Sequence, residues 1–217
     1  VNLFTFRRLS LILCAFLLVA GCAPTKTESP ESSQNQDAAA NNNDVSALNW
    51  RVPDFTYTNQ EGKPFGLKNL QGKLWLADFI FTRCPNVCPP MTANMAKVQQ
   101  ELKKAGVQVE LVSFSVDPEY DKPEVLKAYA EKHGADFSNW HLLTGYSLEE
   151  ITKVTKDTFK AQIAHQKGTS PDVPLLVTHP TQFYLIDGTG KVVRFYNGLQ
   201  PDAAQIAKDV ASLSKGK

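Results

Sequence analysis

The stretch "DFIFTRCPNVCPPMTANM", Asp78 to Met95, carries two cysteines, separated by three residues, where an apolar run gives way to a helical pattern. Upstream, "KLWLADFIF" is apolar except at Asp78, as expected of a strand buried on both faces. A buried carboxylate is usually paired; beneath a cysteine pair it would also be placed to tune or relay protons. Downstream, Met91, Met95, Val98 and Leu102 fall on one face of a helix that stops near Ala105 and Gly106. Pro89 disfavours an α conformation at Cys88, and Pro89 and Pro90 suit only a first turn, so the helix is predicted to start just after Cys88. Both sulfurs then lie at a helix N-terminus, where unpaired N–H groups and the dipole favour thiolate, and low pKa values are expected for both.

Outward from this junction, strands and helices alternate. "DFTYTNQEGKPFGL" reads as an N-terminal β-hairpin turning at Asn59 to Gly62, and "VQVELVSFSV" as a second core strand. "DKPEVLKAYAEKHG" reads as a helix capped by Asp121 and ending at His133 and Gly134. "HLLTG" is a short strand, and "SLEE" from Ser147 has capping-box spacing before a helix with Ile151, Val154, Thr155 and Phe159 inward. Between Gln162 and Val177 the periodicity dissolves, and a loop is expected. "TQFYLIDGTGKVVRFYNG" is a hairpin turning at Asp187 to Gly190, and Pro201 opens a last helix. The order gives an α/β fold, a mixed central sheet flanked by helices, as in the thioredoxin-like fold.

The chain has 217 residues, enough for one ordinary domain and an extension. Arg7 and Arg8 precede an apolar segment from Leu9 to Ala20, the length of an export signal's core and too short for a mature transmembrane helix. It closes on "LVAGC", which resembles a bacterial lipobox. Residues 1–21 are therefore expected to be a lipoprotein signal peptide with Cys22 as the lipidated first residue, the alternatives being plain secretion or an uncleaved anchor. Residues 22–48 are polar and small, a flexible linker with a reach of roughly 25 to 30 Å. Residues 49–217 form the expected domain, held at the extracytoplasmic side of the cell membrane by one lipid anchor. Removing Arg7 and Arg8 from 23 basic residues leaves 21 against 22 acidic ones, and this balance, with no basic run, speaks against nucleic acid as a partner.

With Cys14 lost in the signal and Cys22 lipidated, Cys84 and Cys88 are alone in an exported domain, too few for a disulfide scaffold. The pair can be a redox couple, part of a metal site or an isolated structural bridge. Thiolates serve disulfide exchange and soft-metal binding alike, so acidity does not choose between them. Two thiolates under-coordinate most metals, which directs attention to the four histidines. His133 suits a helix end, His141 lies in a strand beside Trp140, and His165 falls in the irregular loop, where solvation is expected. His179 stands at the end of that loop, before the "FYLID" strand, and in a thioredoxin-like fold that position faces the cysteine turn. Met91 and Met95 could serve as soft ligands but head an apolar stripe, where packing is the expected role.

"FIFTRCPNVCPPM", "SVDPEYDKPEVLKAYA", "WHLLTG" and "HPTQFYLID", in this order, resemble the Sco (SenC) family over roughly Phe55 to Val210. The resemblance implies a membrane-tethered thioredoxin-like domain binding one copper ion, Cu(I) or Cu(II), through Cys84, Cys88 and His179. It implies a metallochaperone for the copper-centre subunit of cytochrome c oxidase. The rival reading is a thiol-disulfide oxidoreductase acting on that subunit's cysteines, with Cys84 attacking, Cys88 resolving and an exported thioredoxin-like protein as reductant. Asp117, in "SVDPE", matches the family's acidic residue and is a candidate outer-shell contact, or else caps the loop after its strand. Many relatives carry an acidic residue where this chain has Thr178 and an arginine where it has Tyr120, and Pro180 resembles the cis-proline of thioredoxins.

Overall fold

The computed structural model describes residues 43–215 apart from residue 172. The expected signal peptide, the expected lipidation site Cys22 and most of the expected linker lie outside the described residues. Packing starts ahead of position 49. Val45 is buried and its N–H donates to the Val193 carbonyl, Asp44 forms a bridge with Arg194, and Arg51 forms one with Lys191. Residues ahead of position 49 therefore belong to the packed domain, because one apolar residue in the polar segment finds a place against the last strand.

Among the described residues nine strands and five α-helices follow: β1 (Thr56–Asn59), β2 (Pro64–Gly66), α1 (Leu67–Leu70), β3 (Trp75–Ile80), α2 (Cys88–Lys104), β4 (Glu110–Ser115), α3 (Pro123–Lys132) and β5 (Trp140–Thr144). Then come α4 (Leu148–Phe159), β6 (Ala164–Ser170), β7 (Val173–Thr178), β8 (Gln182–Ile186), β9 (Val192–Asn197) and α5 (Ala203–Lys215). Seven strands form one sheet in the order β2-β1-β5-β4-β3-β8-β9. β3, β4 and β5 run parallel in its centre, and β1 and β8 flank them antiparallel. This is the expected mixed sheet with its N-terminal hairpin.

Every residue of β3 is buried, which explains its unbroken apolar reading. Successive side chains point to opposite faces. Phe79 packs against Phe114, Phe159 and Tyr184, so α4 covers one face. α2 packs against α5 and reaches α3 through Thr92 and Tyr129, so these helices cover the other. Met91 and Met95 are fully buried in that layer, which makes them packing residues. The β8–β9 turn is tied by Asp187 Oδ1, which accepts from the Thr189 and Lys191 N–H groups at 2.8 and 3.1 Å.

Three local expectations need correction. The stretch read as a loop contains the β6–β7 hairpin, a separate two-stranded sheet. Gly168, Pro171 and Pro174 interrupt its alternation, and strands that do not join the main sheet have no apolar face to reveal them. Asp121 does not cap α3; Lys122 holds that position without a side-chain hydrogen bond, and Asp121 is buried in another role. The capping box at α4 is half made: Ser147 Oγ accepts from the Glu150 N–H at 3.1 Å, while Glu150 Oε1 accepts instead from Tyr57 Oη at 2.8 Å. Asp202, one residue after Pro201, caps α5 by accepting from the Gln205 N–H at 2.9 Å.

Candidate metal centre

β3 ends at Ile80, and residues 81–87 carry the chain across the end of the sheet into α2, whose first residue is Cys88. Prolines occupy the first turn, so no N–H is lost to the helix there. The Cys88 N–H points back to Cys84 Sγ at 3.4 Å. From the other side, β7 ends at Thr178 and β8 begins at Gln182, leaving His179 in a short turn beside the same loop. The ligand-capable atoms of Cys84, Cys88 and His179 all lie within 4.8 Å of one another, and all three residues are buried. Among the described residues no other group of three or more histidine, cysteine or acidic side chains converges this way. The two cysteines are free thiols.

The orientation of the imidazole follows from its second nitrogen. His179 Nδ1 lies 2.9 Å from the Pro180 carbonyl, which can only accept, so Nδ1 carries the proton. Nε2 is left with its lone pair, 3.1 Å from Cys88 Sγ. Phe81 sets its ring at right angles to the imidazole, with centroids 5.8 Å apart, and limits ring rotation. No cis peptide occurs among the described residues, Pro180 included.

The two sulfurs do not share the low pKa expected of a helix N-terminus. The hydrogen bond from the Cys88 side chain, helped by the Cys88 and Asn86 backbone, pulls the Cys84 thiol down to about 4 against the opposing effect of burial. Burial, the negative Cys84 sulfur and Asp78 push the Cys88 thiol up. Cys84 is 8% exposed and Cys88 fully buried, so the shallower sulfur is held as the thiolate while the deeper one keeps its proton. Burial outweighs the dipole at Cys88.

Asp78 lies on β3 beneath this turn, fully buried, with neither carboxylate oxygen in a hydrogen bond. Its register partner Ser113 already receives Trp140 Nε1 at 3.0 Å. Burial lifts its pKa to about 7, with Ser113 and His179 opposing. Among the described residues no ion pair to this carboxylate is found, and the Ser113 hydroxyl, which can donate while it accepts from Trp140, opposes the rise.

Asp117 sits outside the trio. Its Oδ2 accepts from Arg83 Nε and Nη2 at 2.9 and 2.7 Å, and its carbonyl accepts from the Tyr120 and Asp121 N–H groups. It thus shapes the loop after β4 and fixes the residue next to Cys84. Arg83 also stacks over Tyr120, 4.2 Å from the ring centre, so the aromatic departure from the family pattern holds a cation. His133 binds the Tyr129 carbonyl at its helix end, and His141 pairs with Glu110 and stacks on Phe65, as structural residues do. His165 is not merely solvated: its Nε2 lies 2.7 Å from the Val116 carbonyl, tying the β6–β7 hairpin to the end of β4.

The SCO1/SenC family profile matches residues 45–215. The crystal structure of a SCO1/SenC family lipoprotein from Bacillus anthracis is 52% identical, covers 77% of this chain and 96% of its own, and superposes with a TM-score of 0.71. BsSco, described with a disulfide switch as a member of the Sco family of cytochrome c oxidase assembly proteins, is 44% identical, covers 78% of this chain and 96% of its own, and has a TM-score of 0.69. ScoI of Bradyrhizobium japonicum, solved with copper bound, is 28% identical over 75% of this chain and 98% of its own, with a TM-score of 0.62.

Proposed function

The chain belongs to the SCO1/SenC family, and from that premise we propose that it is a membrane-tethered copper carrier serving cytochrome c oxidase assembly. The observation that carries the reading is the approach of His179 Nε2 to two sulfurs at the start of α2. Two thiolates and one imidazole suit trigonal Cu(I) and, with water or a carboxylate added, tetragonal Cu(II). A structural zinc would take a fourth protein ligand, and among the described residues none joins the trio.

The site's own groups are arranged for loading one ion. Cys84 is already held as a thiolate, and Cys88 gives up the remaining proton as the ion replaces it. His179 needs no loss of a proton, since Nδ1–H stays on the Pro180 carbonyl and Nε2 faces the sulfurs. Unloading is ligand exchange in a transient complex with the copper-centre subunit of the oxidase. Oxidation of Cys84 and Cys88 to a disulfide removes both sulfur ligands and stops binding. Anchoring through Cys22 keeps the domain at the extracytoplasmic membrane surface; no described helix is long and apolar enough to cross a membrane.

One observation favours a second reading. A thiolate backed by a more deeply buried, protonated partner is also the arrangement of an attacking and a resolving cysteine, so thiol-disulfide exchange with the oxidase subunit is the rival activity. Copper titration of the reduced domain, followed by absorption and EPR, separates the two in wild type, Cys84→Ser, Cys88→Ser and His179→Ala. The copper reading expects each substitution to weaken binding by more than about 100-fold, beyond the usual effect of an outer-shell change, while His179→Ala still forms the disulfide. Unchanged affinity in His179→Ala rejects the three-ligand site.

A further inference from the structure

Between the end of β3 and Cys88 the chain has little structure of its own. The Cys84 N–H reaches the Phe81 carbonyl at 3.3 Å, and Pro85 has no N–H to donate. Yet the two residues that lead into Cys84 are both gripped from one short loop, 117–121, between β4 and α3. Arg83 is held by the Asp117 carboxylate. Thr82 is held by Asp121: its N–H lies 3.3 Å from each carboxylate oxygen and its Oγ1 2.5 Å from Oδ1.

Asp121 has a third donor, Ser115 Oγ at 2.6 Å from Oδ2, so one carboxylate joins the end of β3, the end of β4 and the entry to α3. It is fully buried, and no cation pairs with it; the charge it faces most directly, Asp117, has the same sign. A lone buried carboxylate opposes folding unless its hydrogen bonds offset the desolvation. Two of its three donors are the N–H and hydroxyl of Thr82, two residues before Cys84, and the third is Ser115 at the end of β4.

We propose that Asp121 is a positioning residue for the Cys84 ligand: by fixing Thr82 on both its N–H and its hydroxyl, it holds the Cys84 sulfur where Cys88 and His179 can share an ion with it. The inference rests on the copper reading of the site, and it extends that reading to a residue that touches none of the three donors. Groups that orient a ligand from outside act on affinity because a misplacement of well under an ångström degrades the coordination geometry.

The test is Asp121→Asn, which keeps size and removes the charged acceptor, measured beside Thr155→Ala. That control loses a buried intrahelical hydrogen bond on α4, which contributes nothing to the site. Two readouts are taken: hydrogen exchange of amides 82–88 in the reduced copper-free protein, and Cu(I) affinity by chelator competition. Asp121→Asn is expected to speed exchange in 82–88 selectively and to weaken copper binding about 10- to 100-fold, whereas Thr155→Ala changes neither beyond its global destabilisation. Should Asp121→Asn fail to fold, Thr82→Val removes the hydroxyl alone and is expected to act in the same direction with a smaller amplitude.

Wild-type exchange over 82–88 with wild-type affinity, in either variant, overturns the proposal. If the wild-type protein itself bound no copper, the functional reading would fall, while selective exchange over 82–88 would still support the Asp121 clamp and its absence would overturn it.

Discussion

Cys84 and Cys88 begin from the same chemistry and are four positions apart, yet one is held as thiolate and the other as thiol. The sequence places both at a helix start and therefore treats them alike; what separates them is the depth of the second sulfur. Asp78 shows the same dependence on depth. Its ordinary pKa of 3.8 rises to about 7 in the fold, so the fold prefers the protonated form. Below about pH 4 the folded and unfolded states are both protonated and there is no penalty. Between pH 4 and 7 the unfolded state ionises first and stability falls, reaching a loss of up to about 4 kcal/mol above pH 7. Asp121, raised to about 6, adds a smaller total loss over a narrower window that ends near pH 6. Asp78→Asn is therefore expected to melt at a higher temperature than wild type at pH 8, with the gain shrinking toward pH 4, in thermal unfolding of the reduced copper-free domain. Parallel curves across that range would contradict the account of Asp78.

At the scale of elements, the site is an assembly of ends: the end of β3, the start of α2 and the turn between β7 and β8. Apolar runs, prolines and the CxxxC spacing made the first two legible, and the resemblance supplied the third. The β6–β7 hairpin was not legible, because a ribbon outside the main sheet needs no alternating apolar face. Nor was the part played by Asp121, since a carboxylate ahead of a proline reads as a helix cap whether or not its side chain turns inward. The His179 turn depends on a close neighbour. The Gly198 N–H donates to the Thr181 carbonyl at 2.8 Å, and a Cβ on Gly198 would stand 2.6 Å from that oxygen. Gly198→Ala is expected to push residues 179–181 away, costing about 1 to 3 kcal/mol in urea unfolding and weakening copper binding, with disulfide formation intact. Wild-type copper affinity in a measurably destabilised Gly198→Ala protein would show that the turn is not what places the imidazole.

Across the whole molecule, three parallel strands open at one end of the sheet, and the cysteine loop and the loop bearing Asp117 and Asp121 both follow those strand ends. On the proposed reading the tether supplies location only, so Cys22→Ser is expected to move the protein from the membrane to the soluble extracytoplasmic fraction while copper affinity stays within about 2-fold, no charge or contact of the site being altered. A soluble variant with lost copper binding would tie the N-terminus to the site itself.

The central claim is that one imidazole and two sulfurs, brought from distant parts of the chain, share a single ion. X-ray absorption at the copper edge of the reduced, Cu(I)-loaded protein, wild type against His179→Ala, reads this most directly. The account predicts two sulfur scatterers and one nitrogen in the wild type, with the nitrogen contribution lost in the variant; two sulfurs alone, or spectra identical between the two proteins, would contradict it.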